Sequence, residues 1–302
     1  MLIQANFSDL FGTTALPAIH HIVFDRYKSV PDRIPDTMNT TKSDRDIEQT
    51  STIGGFTIAT ALTEGESVTY DDPVQGYDKT YSHVKYGRGF RVTQEFIEDG
   101  KFLTIQKQSA NLGKSIAEAR QTVASDNFNN AFTTSADNPN SEALCATNHA
   151  LERGGTSSNR LATDADLSVT SLRSLIEIMK NVRDGGNIRI GITPRKLLVP
   201  RQVFWDAYEL VQSVLRPDTS NNAANAFKAV PLDVVEWLHL TDADAWFLIG
   251  DMSDSEMYFF ERKAPQLSSD KDFDADAMKV KLLTRFSTGW SDWRCYAGSQ
   301  GA

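Results

Sequence analysis

The stretch KFLTIQKQSANLGKSIAEARQTVASDNFNNAFT, residues 101–133, decides how the rest of the chain is read. Ile105, Leu112, Ile116, Ala119 and Val123 recur at intervals of seven, four, three and four residues, which puts them on one stripe of an α-helix; Phe128 and Phe132 prolong it. Some 30 residues at about 1.5 Å each make a helix of roughly 45 Å, longer than a small domain is wide. Only one stripe is apolar. The spacing therefore predicts a helix covered on one side and a flat, elongated subunit.

Upstream, the sequence reads as β structure. FTIATAL (56–62) follows Gly54-Gly55, and TYSHVKYGRGFRV (80–92) alternates from face to face, with turn signals at Asp71-Asp72-Pro73 and Gly76 between them. This predicts a long two-stranded hairpin over 54–92. Its distal half is acidic, with Glu64, Glu66, Asp71, Asp72 and Asp78. An isolated two-stranded hairpin is marginal in water, so this one must rest on a surface of the same subunit or a neighbour. Residues 1–50 scatter apolar anchors such as Phe7, Phe11, Ile22 and Phe24 ahead of the charged stretch Tyr27–Thr50, which reads as an extended arm.

Downstream, residues 133–162 are loop-like. A second helix runs from an N-cap at Ser168 to about Asp184, with Leu172, Leu175, Ile176, Met179 and Val182 inward and Gly185-Gly186 as its stop. KLLVP (196–200) is a short buried strand, and Pro200 opens a third helix carrying Phe204, Ala207, Leu210, Val211 and Val214. LRPDTSNNAANAF (215–227) follows as a polar loop, since Asn and Asp side chains bond their own backbone in turns. Strands then appear at 234–237, 245–250, 257–262 and, with clean alternation, 278–286. The class is α+β.

No constellation points to catalysis. Gly113-Lys114-Ser115 resembles the end of a phosphate-binding loop, but Gln108 stands where the first glycine belongs and the tripeptide lies inside a helical stripe. Gly87-Arg88-Gly89 has too few glycines for a dinucleotide loop. Cys145 and His149 lack the further ligands a zinc site needs. As a nucleophile and base they would support a hydrolase, the reading from another class, but no third member or oxyanion loop is evident. Neither a cofactor nor a metal is expected.

The totals bound the partners. The 302 residues carry a formal net charge of −9, which argues against gripping nucleic acid through neutralised phosphates. Two distant cysteines make no disulfide framework and fit a reducing compartment. No signal peptide and no apolar run of about 20 residues is visible, so the expectation is a protein made in a cytoplasm, with no membrane partner.

From residue 143 onward the sequence looks familiar. ALCATNHALERGGTSSNRLA (143–162), ITPRKLLVPRQVFWDAYELVQSVLRPDTSNNAANAF (192–227), AWFLIGD (245–251) and RFSTGWSDWRCYAGSQGA (285–302) resemble, in order and spacing, the major capsid proteins of tailed bacteriophages, and among them the Mu-like prophage major head subunits. The resemblance implies the Hong Kong 97-type capsid fold: an N-terminal arm over 1–50, an extended hairpin (the E-loop) over 51–92, a peripheral domain with the long spine helix over 93–164, an axial domain over 165–275, and a return strand over 276–302. It implies a virion shell of hexamers and pentamers around double-stranded DNA, assembled in a bacterial cytoplasm. A portal, a separate scaffolding protein and a decoration protein are the other implied partners, with DNA held only non-specifically. An encapsulin-like compartment shares the fold and is the alternative. The expected subunit contacts are Glu64, Glu66, Tyr70, Asp71 and Asp72 of the hairpin, facing basic residues Arg88, Arg91, Lys107 and Lys114 of a neighbour, with Asn221 and Asn222 of the polar loop.

Overall fold

A computed structural model describes residues 16–72, 74–213, 225–272 and 274–302. Its elements in chain order begin with helices α1 (Leu16–Lys28) and α2 (Ile34–Thr37) and strands β1 (Asn39–Lys42), β2 (Ile47–Ile53), β3 (Gln75–Ser82) and β4 (Val84–Thr93). Helices α3 (Gln94–Glu98) and α4 (Phe102–Asn129), the short strands β5 (His149–Ala150) and β6 (Thr156–Ser157), and α5 (Val169–Lys180) follow. Then come β7 (Lys196–Val199), α6 (Phe204–Gln212), β8 (Asp233–Glu236), β9 (Trp246–Ile249), β10 (Met257–Asp272), β11 (Ala277–Trp290) and β12 (Tyr296–Ser299).

The long helix forms as the periodicity predicts, and it serves two cores. Ile105, Leu112 and Ile116 of its first half meet Ile19 and Val23 of α1 with Val92, Ile97, Val280 and Leu282. Ala124 and Phe128 of its second half enter a larger core around Trp237, Phe247 and Tyr296. The helix stops at Asn129, and the Asn130 side chain donates to the Asp126 carbonyl (2.9 Å), a local bond that competes with helix continuation. Phe132, past the end, still stacks on Phe247 at 5.5 Å. Gly113 explains why α1 can lie so close: a Cβ there would stand 2.1 Å from the Val23 carbonyl oxygen. The residue that mimics a phosphate loop is thus a helix-crossing glycine, buried rather than on a solvated face.

Two four-stranded sheets share the remaining work, in the orders β1-β10-β11-β4 and β12-β9-β7-β8. In the first, Met278, Val280, Leu282 and Phe286 are buried, as the alternation predicts. Strand β10 runs ten residues past the apolar 257–262, paired with β11, an extension the sequence does not signal because KAPQLSSDKD lacks an apolar alternation and carries Pro265 in mid-strand. The register slips between Glu261 and Gln266, where Pro265 has no N–H to donate. The expected boundary between 275 and 276 falls inside the hairpin joining β10 to β11, and β12 pairs with β9 in the second sheet. The centre of that second sheet is apolar, with all four residues of β9 and Leu197, Leu198 and Val199 of β7 buried. Helix α5 begins at Ser168 in a reciprocal cap with Ser171 and ends at Lys180, before the Gly185-Gly186 pair.

The arm and the hairpin differ from expectation. The 27–50 segment is docked on its own chain: Ile34 and Met38 are buried in the larger core, and β1 pairs in parallel with β10 from Asn39↔Tyr258 to Lys42↔Glu261. The hairpin is real but displaced. Its arms are β2 and β3, in register from Ile47↔Ser82 to Ile53↔Gln75, while β4 belongs to the first sheet. Among the described residues, 54–72 contain no strand.

Candidate functional site

The 54–72 loop is where side chains and burial are most at odds. Phe56, Ile58, Val68 and Tyr70 are 72, 68, 58 and 89 % exposed, and with Leu62 they line one open cavity of about 410 Å³. Monomeric proteins seldom leave so contiguous an apolar strip in water. The loop has its own internal order. The Gly54 N–H donates to the Val74 carbonyl (2.8 Å). Farther out, the Thr57 N–H and hydroxyl both donate to Asp71 Oδ2, at 2.8 and 2.7 Å. At the tip, Thr63 donates twice to Glu66 Oε2, around Gly65 with φ of +84°.

These bonds change the role expected of the acids. Thr57, with Arg153 beyond it, holds the Asp71 carboxyl below the usual carboxylate range, and Thr63 does the same for Glu66. Both are engaged inside the loop. Tyr70 and Glu64 stand exposed, and Asp72 supplies its carbonyl to Arg153. Arg88, Arg91, Lys107 and Lys114 are all exposed, on β4 and α4, and no ion pair joins any of them to the hairpin acids among the described residues. Asn221 and Asn222 lie outside the described residues.

The residues that could have signalled an enzyme are buried fastenings. His149 is fully enclosed, stacked on Trp293 with ring centroids 3.9 Å apart. Its Nδ1 faces Glu142 Oε2 at 2.8 Å and its Nε2 faces Asn159 Oδ1 at 3.0 Å. Asn159 in turn donates to the carbonyls of Leu144 and Tyr296, each at 2.8 Å. Burial pushes the Glu142 carboxyl up, but His149, the Ala150 N–H and Asn140 outweigh it and hold the group below its usual range. The network ties residues 142–159 to the last strand. It does not include Cys145, whose thiol burial pushes far above its ordinary value. A nucleophile must reach substrate as a thiolate, and this one can do neither.

A second exposed apolar patch sits on α6. Ala207, Leu210 and Val211 face inward as the stripe predicts, leaving Trp205 and Tyr208 on the outside, 70 and 50 % exposed. Sequence reasoning overlooked both this face and Arg153. The signal for the first was present in the helical spacing; Arg153 had none, because its hydrogen-bond partners are backbone carbonyls and its one acidic neighbour, Asp71, is 82 positions away.

A family model described as phage capsid protein matches residues 76–298. This chain belongs to that family. A phage capsid protein is a building unit of a shell and not an enzyme, in keeping with the buried Cys145 and His149. No curated protein matches the chain in sequence. Solved structures match in fold. The virus-like particle protein from Pyrococcus furiosus superposes with a TM-score of 0.55 at 9 % identity, over 95 % of this chain and 99 % of that one. The capsid protein of the cyanophage P-SCSP1u gives 0.54 at 13 % identity, over 88 and 86 % of the two chains. The capsid of an empty GTA particle gives 0.56 at 10 % identity, over 89 % of each. The fold of this phage capsid protein is therefore of the Hong Kong 97 type, with α4 as its long helix.

Proposed function

We propose that this capsid protein is the major head subunit of a tailed phage, assembling into hexamers and pentamers of an icosahedral shell around double-stranded DNA. The observation that carries this reading is the apolar strip Phe56, Ile58, Leu62, Val68 and Tyr70, exposed on a loop that projects from the β2–β3 hairpin. Its natural occupant is another copy of the chain, because closure of a symmetric shell leaves every such strip covered. The acidic balance suits a container that must release its DNA. Assembly in a bacterial cytoplasm, a separate scaffolding protein, a portal and a decoration protein belong to the same reading, and the blocks at 143–162, 192–227, 245–251 and 285–302 favour the Mu-like head subunits within the family. The peripheral domain would be built on α4 and the first sheet, the axial domain on the second sheet with α5 and α6. Neighbour contacts would run from Tyr70 and Glu64 of the loop to exposed basic residues such as Arg88, Arg91, Lys107 and Lys114.

Negative-stain microscopy of the purified protein, alone and co-expressed with neighbouring genes, tests this. Closed shells, tubes or ring-shaped capsomers are expected, with DNA inside when the packaging genes are present. Shells enclosing an enzyme would indicate a compartment instead. Particles that never assemble would overturn the reading.

A further inference from the structure

The loop that carries the apolar strip leaves the body at a narrow base, and the chain meets three constraints there. The first is steric. Gly54, Gly55 and Phe56 run across Gly185-Gly186 at backbone contact: a Cβ on Gly186 would lie 2.0 Å from the Phe56 carbonyl oxygen, and one on Gly185 would lie 2.9 Å from Gly54 Cα. The two glycine pairs, which read in sequence as a strand lead-in and a helix stop, are one crossing point. The second is Arg153, on the turn after β5. Its Nε donates to the Gly55 carbonyl (2.9 Å) and its Nη2 to the Asp72 carbonyl (2.6 Å), while its Nη1 stands 3.8 Å from Asp71 Oδ1. One guanidinium thus holds both arms of the loop. The third fixes that turn. The Arg153 N–H donates to the Gly185 carbonyl (3.2 Å), and neighbouring Glu152, 3 % exposed at its side chain, receives Arg294 Nη2 at 2.9 Å. Arg294 also donates to the Arg183 carbonyl and pairs with Asp292.

The guanidinium stands in place of a cross-strand ladder at the base of the loop. In a hairpin, facing carbonyls and N–H groups of residues 55–58 and 70–72 would satisfy one another. Here the planar fork sits between Gly55 and Asp72 and supplies the donors itself, a geometry open to arginine and not to lysine. FTIATAL has the composition of a strand and no ladder to join.

We infer that Arg153 is the positioning residue of the capsid loop: it clamps both arms to the 151–155 turn and fixes the loop's direction before a neighbouring subunit arrives. This rests on the reading that the loop covers a second copy. Binding to a pre-set loop avoids the ordering cost that a free one would impose at each contact, and a shell repeats that contact in every subunit.

The test compares wild type with Arg153→Ala and Arg153→Lys in the full chain, by amide hydrogen exchange and by the yield and diameter of shells. Loss of two charge-assisted bonds should speed exchange at the Gly54 and Thr57 amides by about tenfold or more in both variants, with β7 and β9 unchanged. Shell yield should fall in both, since lysine keeps the charge but cannot span the two carbonyls. Unchanged exchange at Gly54 and Thr57 would refute the clamp. So would acceleration that spreads to β7 and β9, which would make Arg153 a support of the body. A loosened loop with wild-type shells would refute its role in assembly. If wild type itself forms no shells, the proposed function fails, while the exchange at Gly54 and Thr57 still judges the clamp.

Discussion

Strand β9 and the 56–70 loop contain the same kinds of side chain and meet opposite fates. In β9, Trp246, Phe247, Leu248 and Ile249 are buried in the larger core between β7 and β12, Phe247 against Phe128 of α4, and Trp246 Nε1 donates to the Ala165 carbonyl at 3.1 Å. In the loop, Phe56, Ile58 and Tyr70 stand in solvent. The difference is in the partner. The strand's apolar surface is covered by its own chain and stabilises the fold; the loop's has no cover from its own chain and, on the proposed function, meets a neighbouring subunit. Residues of the first kind should govern folding, and those of the second kind assembly.

The sharpest way to break this comparison is to cut into the shared core. Phe128 packs edge-on against Trp237, Phe247 and Tyr296, with centroids 5.9, 5.3 and 5.9 Å away. Phe128→Ala should cost about 3–5 kcal/mol of unfolding free energy, read from denaturant midpoints. A loss under about 1 kcal/mol would mean that the two regions are not distinct in the way described. Next, Ile58→Ser combined with Tyr70→Ser should leave stability within about 0.5 kcal/mol, as for other exposed positions, while shell yield in the microscope drops by roughly tenfold or more. Equal yields would remove the loop from the interface. The smallest effect concerns acid. Asp71 and Glu66 are held below their unfolded values, so their bonds to Thr57 and Thr63 contribute fully above the ordinary carboxylate range and are lost as pH falls through the depressed values. Loop amide protection, measured against the intrinsic exchange rate at each pH, should therefore fall below about pH 4 before the core loosens. Simultaneous loosening of loop and core would contradict it.

The sequence made some of this legible and hid the rest for physical reasons. Periodicity revealed α4, α5, α6 and β11, because each buries one face against the chain's own core. The Ser168 cap was legible because capping is local. The arm was misread because its anchors, Ile34 and Met38, are few and their partners lie far along the chain. FTIATAL was misread because a strand needs a ladder: the Thr57 N–H goes to the Asp71 side chain instead, and the Gly55 carbonyl at the base is taken by Arg153, about a hundred positions away. The acids of the loop were visible as charges, but not as partners of Thr57 and Thr63. Gly113 was visible as a motif fragment; only the nearness of α1 shows why a side chain cannot stand there.

The parallel pairing of β1 with β10 sets an order of events during synthesis. Asn39, the first residue of β1, donates to the Ser255 carbonyl 216 positions later. At about 5–20 residues per second, β1 must wait roughly 10–45 s on the ribosome before its partner exists. Through that interval its unpaired edge is open to any other strand in reach, including those of nascent chains nearby. A folding helper that shields residues 39–42 would act in that window.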